Sequence, residues 1–229
     1  MQKDASNKLE RNMDILKAVV GSVAHGLNTP ESDIDYAGVF ATSTSELLSI
    51  DHIPDERRRV GETEDNVEYE IGKFLHLAVK SNLTILEVFM SPIEYVHPRY
   101  GWALLDLFPY VWSSKGVKSA AFGYSRDQYN RLIKNTDTRG RKYAATAIRV
   151  LYQAHQILST GSFDVRVVDS PIGQTLVNYK QGWFSTEEFV TMREYWENKV
   201  VEAYSANPDK KSDIGMVNDF LLWLRKENW

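Results

Sequence analysis

The residues of this chain best suited to chemistry on phosphate lie between Gly21 and Asp35. They read Gly21-Ser22-Val23-Ala24-His25-Gly26, then a loop, then Ser32-Asp33-Ile34-Asp35. A glycine just after an apolar run lets backbone approach a phosphate closely. Ser22 adds a hydroxyl and an N–H aimed at the same oxygens, and successive backbone N–H groups in such a turn form an anion-binding concavity. Asp33 and Asp35 stand two positions apart, so on a strand they project to one side. Paired carboxylates suit hard divalent cations such as Mg²⁺ or Mn²⁺, which take oxygen ligands. Metals held this way clamp the attacking and leaving oxygens of an in-line phosphoryl displacement. A phosphate cradle and metal carboxylates within fifteen residues meet the needs of nucleotidyl transfer from a nucleoside triphosphate.

Such a site needs a strand before its turn and another after it. Ala18-Val19-Val20 reads as a buried strand tip ending at Gly21-Ser22. His25 to Ser32, with Gly26, Asn28 and Pro30, reads as a loop. Asp33 to Phe40 alternates with strand period. Upstream, Leu9, Met13 and Leu16 recur at helical spacing and predict an amphipathic helix over Ala5 to Lys17. Asp51 to Asp65 is hydrophilic, includes Arg57-Arg58-Arg59, and reads as a solvated, mobile connection. Asn66 to Tyr69 suits a short strand. A helix from about Glu70 carries Ile71, Phe74, Leu75 and Ala78 on one stripe, and Leu83 to Phe89 continues as an apolar helical stretch. Pro92, Pro98 and Gly101 then interrupt the pattern, which divides the chain into 1–95, holding the chemistry, and a mostly helical 96–229.

In that second part, Arg139 to Leu158 places Ala144, Ala147, Ile148, Leu151 and Leu158 on one face. Ser185 followed by Glu188 is a capping-box signal for a helix through about Tyr204, and Ile214 to Arg225 reads as a last helix. Trp183, Trp196, Trp223 and Trp229 are expected to pack helices, and His155 to sit in the core. Glu87 and Asn82 read as supports for their helix. His52, His76 and His97 have no metal-ligand spacing.

Composition narrows the class. The 229 residues are 43% hydrophobic and 25% charged, as in soluble globular proteins that bury a core. A net charge of -4 supplies no global basic field, so contact with a polynucleotide needs a local basic patch. The absence of cysteine excludes disulfides, thiolate nucleophiles and Cys-based zinc sites. The polar, mixed-charge N-terminus lacks the apolar stretch of a signal peptide. No segment approaches the roughly 20 apolar residues that span a bilayer. A cytoplasmic protein with no membrane partner is expected.

The sequence resembles the DNA polymerase β superfamily, whose signature is a Gly-Ser pair followed by an Asp-x-Asp strand. It is more similar to a branch of predicted bacterial and phage nucleotidyltransferases with G-S-x-A-[HY]-G, a loop, and S-D-x-D-x-x-G-[VI]. Here these read GSVAHG and SDIDYAGV, so Gly38 and Val39 match as well. A downstream block of that branch resembles EIGKFLHLAVKSNLTILE, Glu70 to Glu87, with Leu83 in place of a proline.

The resemblance implies an α+β fold: a small mixed polymerase-β-like sheet with flanking helices, then a mostly helical C-terminal region. It implies an enzyme moving a nucleoside monophosphate from an NTP, ATP among them, to a hydroxyl acceptor with release of pyrophosphate. The acceptor is open between a nucleic-acid end, a protein hydroxyl and a small molecule. The alternatives are a nucleotide-binding regulatory or scaffold protein without turnover, and the nucleotidyltransferase half of a toxin–antitoxin pair. Residue by residue, Gly21 and Ser22 would hold the triphosphate and Asp33 and Asp35 the Mg²⁺ or Mn²⁺ ions. Ser32 is a further candidate for nucleotide contact. His25 either contacts phosphate or steadies the turn. For the third carboxylate, the family match favours Asp65 and then Glu70, whereas strand alternation favours Glu68 and Glu70. The branch's K-x-x-x-H-x-x-R helix motif falls on Lys142, Thr146 and Arg149, without its histidine. Lys142 and Arg149 are thus candidate nucleotide contacts or surface charges.

Overall fold

The pattern of apolar side chains places two strands at the centre of the protein. A computed structural model describes residues 12–50, 55–60, 64–135 and 138–229. In it β1 (Met13–Val20) and β2 (Ile34–Ala41) pair antiparallel, joined through a short helix, α1 (Gly21–His25). Ile15, Leu16, Ala18, Val39, Phe40 and Ala41 are buried along the two strands. A fourth strand, β4 (Glu64–Glu70), lies parallel to β2, and β3 (Glu56–Val60) lies antiparallel to β4 at the edge. On the other side β5 (Ile93–Val96) pairs with β1, giving a five-stranded mixed sheet in the order β3-β4-β2-β1-β5. A four-residue helix, α2 (Thr44–Leu47), follows β2.

Helices cover the sheet and extend beyond it. α3 (Ile71–Val79) buries Ile71, Phe74, Leu75 and Ala78, the stripe that its sequence periodicity predicts. α4 (Leu83–Met90) starts at Asn82, whose side chain accepts from the N–H groups of Thr84 and Ile85. After α5 (Tyr100–Leu105) and α6 (Phe108–Val111) come two long helices packed on each other, α7 (Ser114–Leu132) and α8 (Thr138–Thr160). A single 3-10 turn (Val167–Asp169) leads to α9 (Gly173–Gln181), α10 (Thr186–Ala206) and α11 (Ile214–Glu227). The capping box at Ser185 and Glu188 is formed in full. The chain is therefore α+β, with a mostly helical C-terminal part.

Three sequence expectations need correction. Met13 to Lys17 is strand, not helix; Ala5 to Arg11, most of the rest of that expected helix, lies outside the described residues. Its helical spacing is overridden because this segment fills a central sheet position between β2 and β5. A register shift between Asp14 and Leu16 lets the neighbouring Ile15 and Leu16 both be buried. Arg57-Arg58-Arg59 belongs to strand β3 rather than to a loop, and the Arg57 guanidinium lies 4.1 Å over the Phe40 ring. An edge strand tolerates charge along its length, so a hydrophilic run does not distinguish it from a loop. Pro92 and Pro98 flank β5 (Ile93–Val96). Finally, Trp196 and Trp223 do pack helices, but Trp183 is 70% and Trp229 76% exposed.

The C-terminal helix returns to the sheet. Glu70 ends β4 and caps α3, accepting from the Gly72 N–H at 2.7 Å. Its other oxygen lies 2.7 Å from the Arg225 guanidinium of α11. Arg225 also donates to the Thr42 carbonyl, and the Thr44 amide donates to the Asn228 carbonyl. Among the described residues no helix is long and apolar enough to cross a membrane.

Candidate active site

The turn between β1 and α1 is built around one glycine. Gly21 has φ +67°, in the left-handed region where side chains are strained. The β1–β2 register sets Val20 opposite Asp35, which brings the Asp35 carboxylate over the turn. A Cβ at position 21 would fall on Asp35 Oδ2. Glycine is thus required twice, by conformation and by the approach of the carboxylate. Gly26, also left-handed at φ +69°, closes α1 by donating to the Ser22 and Val23 carbonyls. The following loop is tied by the Ser32 hydroxyl, which accepts from the Thr29 N–H at 2.9 Å.

Ser22, Ser32, Asp33 and Asp35 line one wall of a cavity of about 580 Å³. The facing wall comes from the helical part: Lys142 of α8 and Lys180 of α9. Lys180 donates to the Leu27 carbonyl, clasping the loop that follows α1. Burial pushes the Lys180 ammonium below its ordinary range, and the nearby Lys142 charge pushes the same way. Two cations thus share one cleft with two aspartates and two serines. Lys180 escaped sequence reading because its loop partner is 153 positions away and no spacing links them.

The acids near β4 separate by register. In the parallel β2–β4 pair, Asp65 stands opposite Asp35, Glu68 opposite Gly38 and Glu70 opposite Phe40. Alternation puts Glu68 and Glu70 on the sheet face away from Asp35. Glu68 lies against Gly38, where a Cβ would meet its Cγ at 3.0 Å. Glu70 is committed to the α3 cap and to Arg225. Only Asp65 occupies the register position beside the cavity carboxylates. Among the described residues no group of three or more potential metal ligands is gathered. Asp33 and Asp35 offer an all-oxygen pair of the kind hard cations take, with phosphate oxygens able to complete the shell.

His25 and Arg149 are brought together, but behind the cavity rather than in it. His25 is 7% and Arg149 8% exposed. The His25 Nε2–H donates to Glu87 Oε1 at 2.8 Å, and Arg149 donates to Glu87 Oε2 at 2.7 Å. Arg149 also reaches Gln153 at 2.8 Å, and Gln153 donates to the Asp164 carbonyl. Burial alone would raise the Glu87 carboxyl, but Arg149 and His25 outweigh it and hold it at about 2. Burial, aided by Arg149, lowers His25, which is therefore neutral at pH 7. This network fastens α1, which follows the Gly21 turn, to α4 and α8. Glu87, at the end of the downstream sequence block, is its hub. Thr146, between Lys142 and Arg149 on the same helix face, hydrogen-bonds the Lys142 carbonyl of its own helix at 2.8 Å.

Around this cleft of glycine turn, aspartate strand and lysines the chain is a nucleotidyltransferase of the polymerase β superfamily, as its family match shows. The chain belongs to the RlaP family, described as the RNA repair pathway DNA polymerase beta family, whose sequence model matches residues 4–182. Among solved structures it is similar to a nucleotidyltransferase-like protein from Exiguobacterium sibiricum 255-15. The two share 10% identity and a TM-score of 0.30, over 99% of this chain and 78% of that one. No curated protein matches.

Proposed function

We propose that the protein transfers a nucleoside monophosphate from an NTP to the 3′-hydroxyl of an RNA end, releasing pyrophosphate. The observation that carries this reading is the Asp35 carboxylate seated against the Gly21 turn, in a cavity that also presents Ser22, Asp33, Lys142 and Lys180. The RNA acceptor is favoured over a protein hydroxyl or a small molecule by the RNA-repair description of the family.

Ser22 and the turn backbone hold the triphosphate, and Lys142 and Lys180 bear on the phosphates that leave. Asp33 and Asp35 are the proposed ligands for Mg²⁺ or Mn²⁺, with Asp65 as the third carboxylate. A cation bound there would neutralise phosphate charge and ease ionisation of the acceptor hydroxyl. The acceptor oxygen forms a bond to the α-phosphorus as the bond from that phosphorus to the pyrophosphate oxygen breaks. Asp65 receives the hydroxyl proton. Lys142 and Lys180 offset the charge that develops on the leaving pyrophosphate.

Each α-labelled NTP is offered with Mg²⁺ or Mn²⁺ to RNA, DNA and protein acceptors. Label on RNA 3′ ends is the expected result. Label confined to protein or DNA, or no label with any NTP, overturns the assignment.

A further inference from the structure

α9 is a partition between two cavities. One of its faces, through Val177, Lys180 and Gln181, walls the nucleotide cavity. Its opposite face, through Thr175, Asn178 and Tyr179, walls an open groove of about 710 Å³ whose far side is α10. The groove floor is a stiff aromatic cluster. Tyr179 and Phe184 lie 4.7 Å apart between ring centroids, and both rest on the buried Phe189. At its margins Trp183 is 70% and Tyr195 51% exposed. Large rings left in water beside a concave aromatic floor offer flat faces on which a planar ligand can stack.

Charge states what it binds. The groove carries Glu187 and Glu188 and no cation among its described lining residues, which repels phosphate from the groove itself. Cations stand on the flank nearer the nucleotide cavity. Lys142 and Lys180 line that cavity, and the Arg141 guanidinium packs on Gly182, directly before Trp183. A ligand that fits both sides has anionic groups for the lysines and arginine, and flat rings with N–H donors for the aromatics and the glutamates. A single strand of nucleic acid has that division between backbone and base, and its unstacked bases pack on exposed aromatic side chains. The groove lies about one helix diameter, roughly 10 Å, from the cavity, a distance a short stretch of single strand spans.

We propose that the groove between α9 and α10 holds a base of the acceptor RNA upstream of its 3′ end, stacked on Trp183 and Tyr195, while the backbone crosses Arg141, Lys142 and Lys180. The proposal rests on the RNA-acceptor reading above. It predicts that the protein measures out a single-stranded tail rather than seizing the terminal nucleotide alone.

The test compares wild type with Trp183→Ala, Tyr195→Ala and Trp183→Phe. One readout is anisotropy of a labelled single-stranded RNA; the other is transfer to a dinucleotide and to a longer single strand. The alanine variants should weaken RNA binding about five- to 150-fold, the range for loss of one base–aromatic stack. Trp183→Phe should retain most of the affinity. Transfer to the dinucleotide and KM for the NTP should be unchanged, and thermal melts should match because both side chains are exposed. Full-strength RNA binding by Trp183→Ala overturns the proposal, as does an equal loss on dinucleotide and long strand. Failure of wild type to bind single-stranded RNA, or a change of oligomeric state in place of RNA affinity, also overturns it. If RNA is labelled but Trp183→Ala behaves as wild type, the groove assignment alone fails. If binding depends on Trp183 but no RNA is labelled, the groove stands and the transfer reading fails.

Discussion

At the scale of single residues, Gly21 is the most demanding position. Its φ of +67° and the seat of Asp35 against it exclude any side chain. Gly21→Ala should therefore cost more activity than Ser22→Ala, although it adds only a methyl group. Ser22→Ala removes one hydrogen bond to a charged group, worth about 1.5–3 kcal/mol, and kcat/KM should fall roughly ten- to a hundredfold. Asp33→Ala and Asp35→Ala remove a proposed metal ligand worth several kcal/mol of charge stabilisation, so each should lose about a thousandfold or more. All four are read by single-turnover labelling, with circular dichroism to check the fold. Near-normal labelling by either aspartate variant sinks the metal assignment.

Between elements, the decisive contact is the buried network of His25 on α1, Glu87 on α4 and Arg149 on α8. Removing one partner leaves an uncompensated buried charge, which costs about 3–5 kcal/mol. Arg149→Met should thus lower Tm by about 6–20 °C in a protein of this size. Glu87→Gln with Arg149→Met should be milder than the two losses added, because neither charge is then stranded. Acid should act on the same network. His25 is held below its ordinary 6.5, so the stability it lends is present above that pH and is lost as pH falls through it. Glu87, held at about 2 rather than 4.5, adds a second loss as pH falls from 4.5 toward 2. Urea melts across that range should show the wild type weakening on acidification, and a Glu87→Gln, Arg149→Met protein weakening less below pH 4.5. The elements differ in how readily sequence disclosed them. α3, α4, α10 and α11 carry apolar stripes behind capping side chains at Glu70, Asn82, Ser185 and Asp213, signals contained within each segment. β1 and β3 are strands because of what lies beside them, and neither a helical spacing of apolar residues nor a run of arginines announces a neighbour. The site divides in the same way. The candidates Gly21, Ser22, Asp33 and Asp35 sit within one readable stretch, whereas preferring Asp65 as the proposed third carboxylate needed the β2–β4 register and Lys180 needed the folded cleft.

For the whole molecule, the buried apolar side chains of the described residues form one cluster that runs from Ile15 to Leu224, on both sides of residue 95. Unfolding should accordingly be one transition. Far-UV circular dichroism, which follows all the helices, and tryptophan fluorescence, which follows mainly the helical part, should give the same denaturation midpoint. Two separated midpoints would instead make 1–95 and 96–229 independent units. The return of α11 to the sheet also has a consequence for manufacture. Glu70, only 5% exposed in the finished protein, waits 155 positions for Arg225. At synthesis rates of about 5–20 residues per second, that is a delay of roughly 8–30 seconds. Throughout it the nascent sheet holds a carboxylate whose partner has not been translated. A ribosome stalled within α11 therefore displays a chain whose cavity-lining residues are all translated while Glu70, on the other face of the sheet, still lacks its guanidinium.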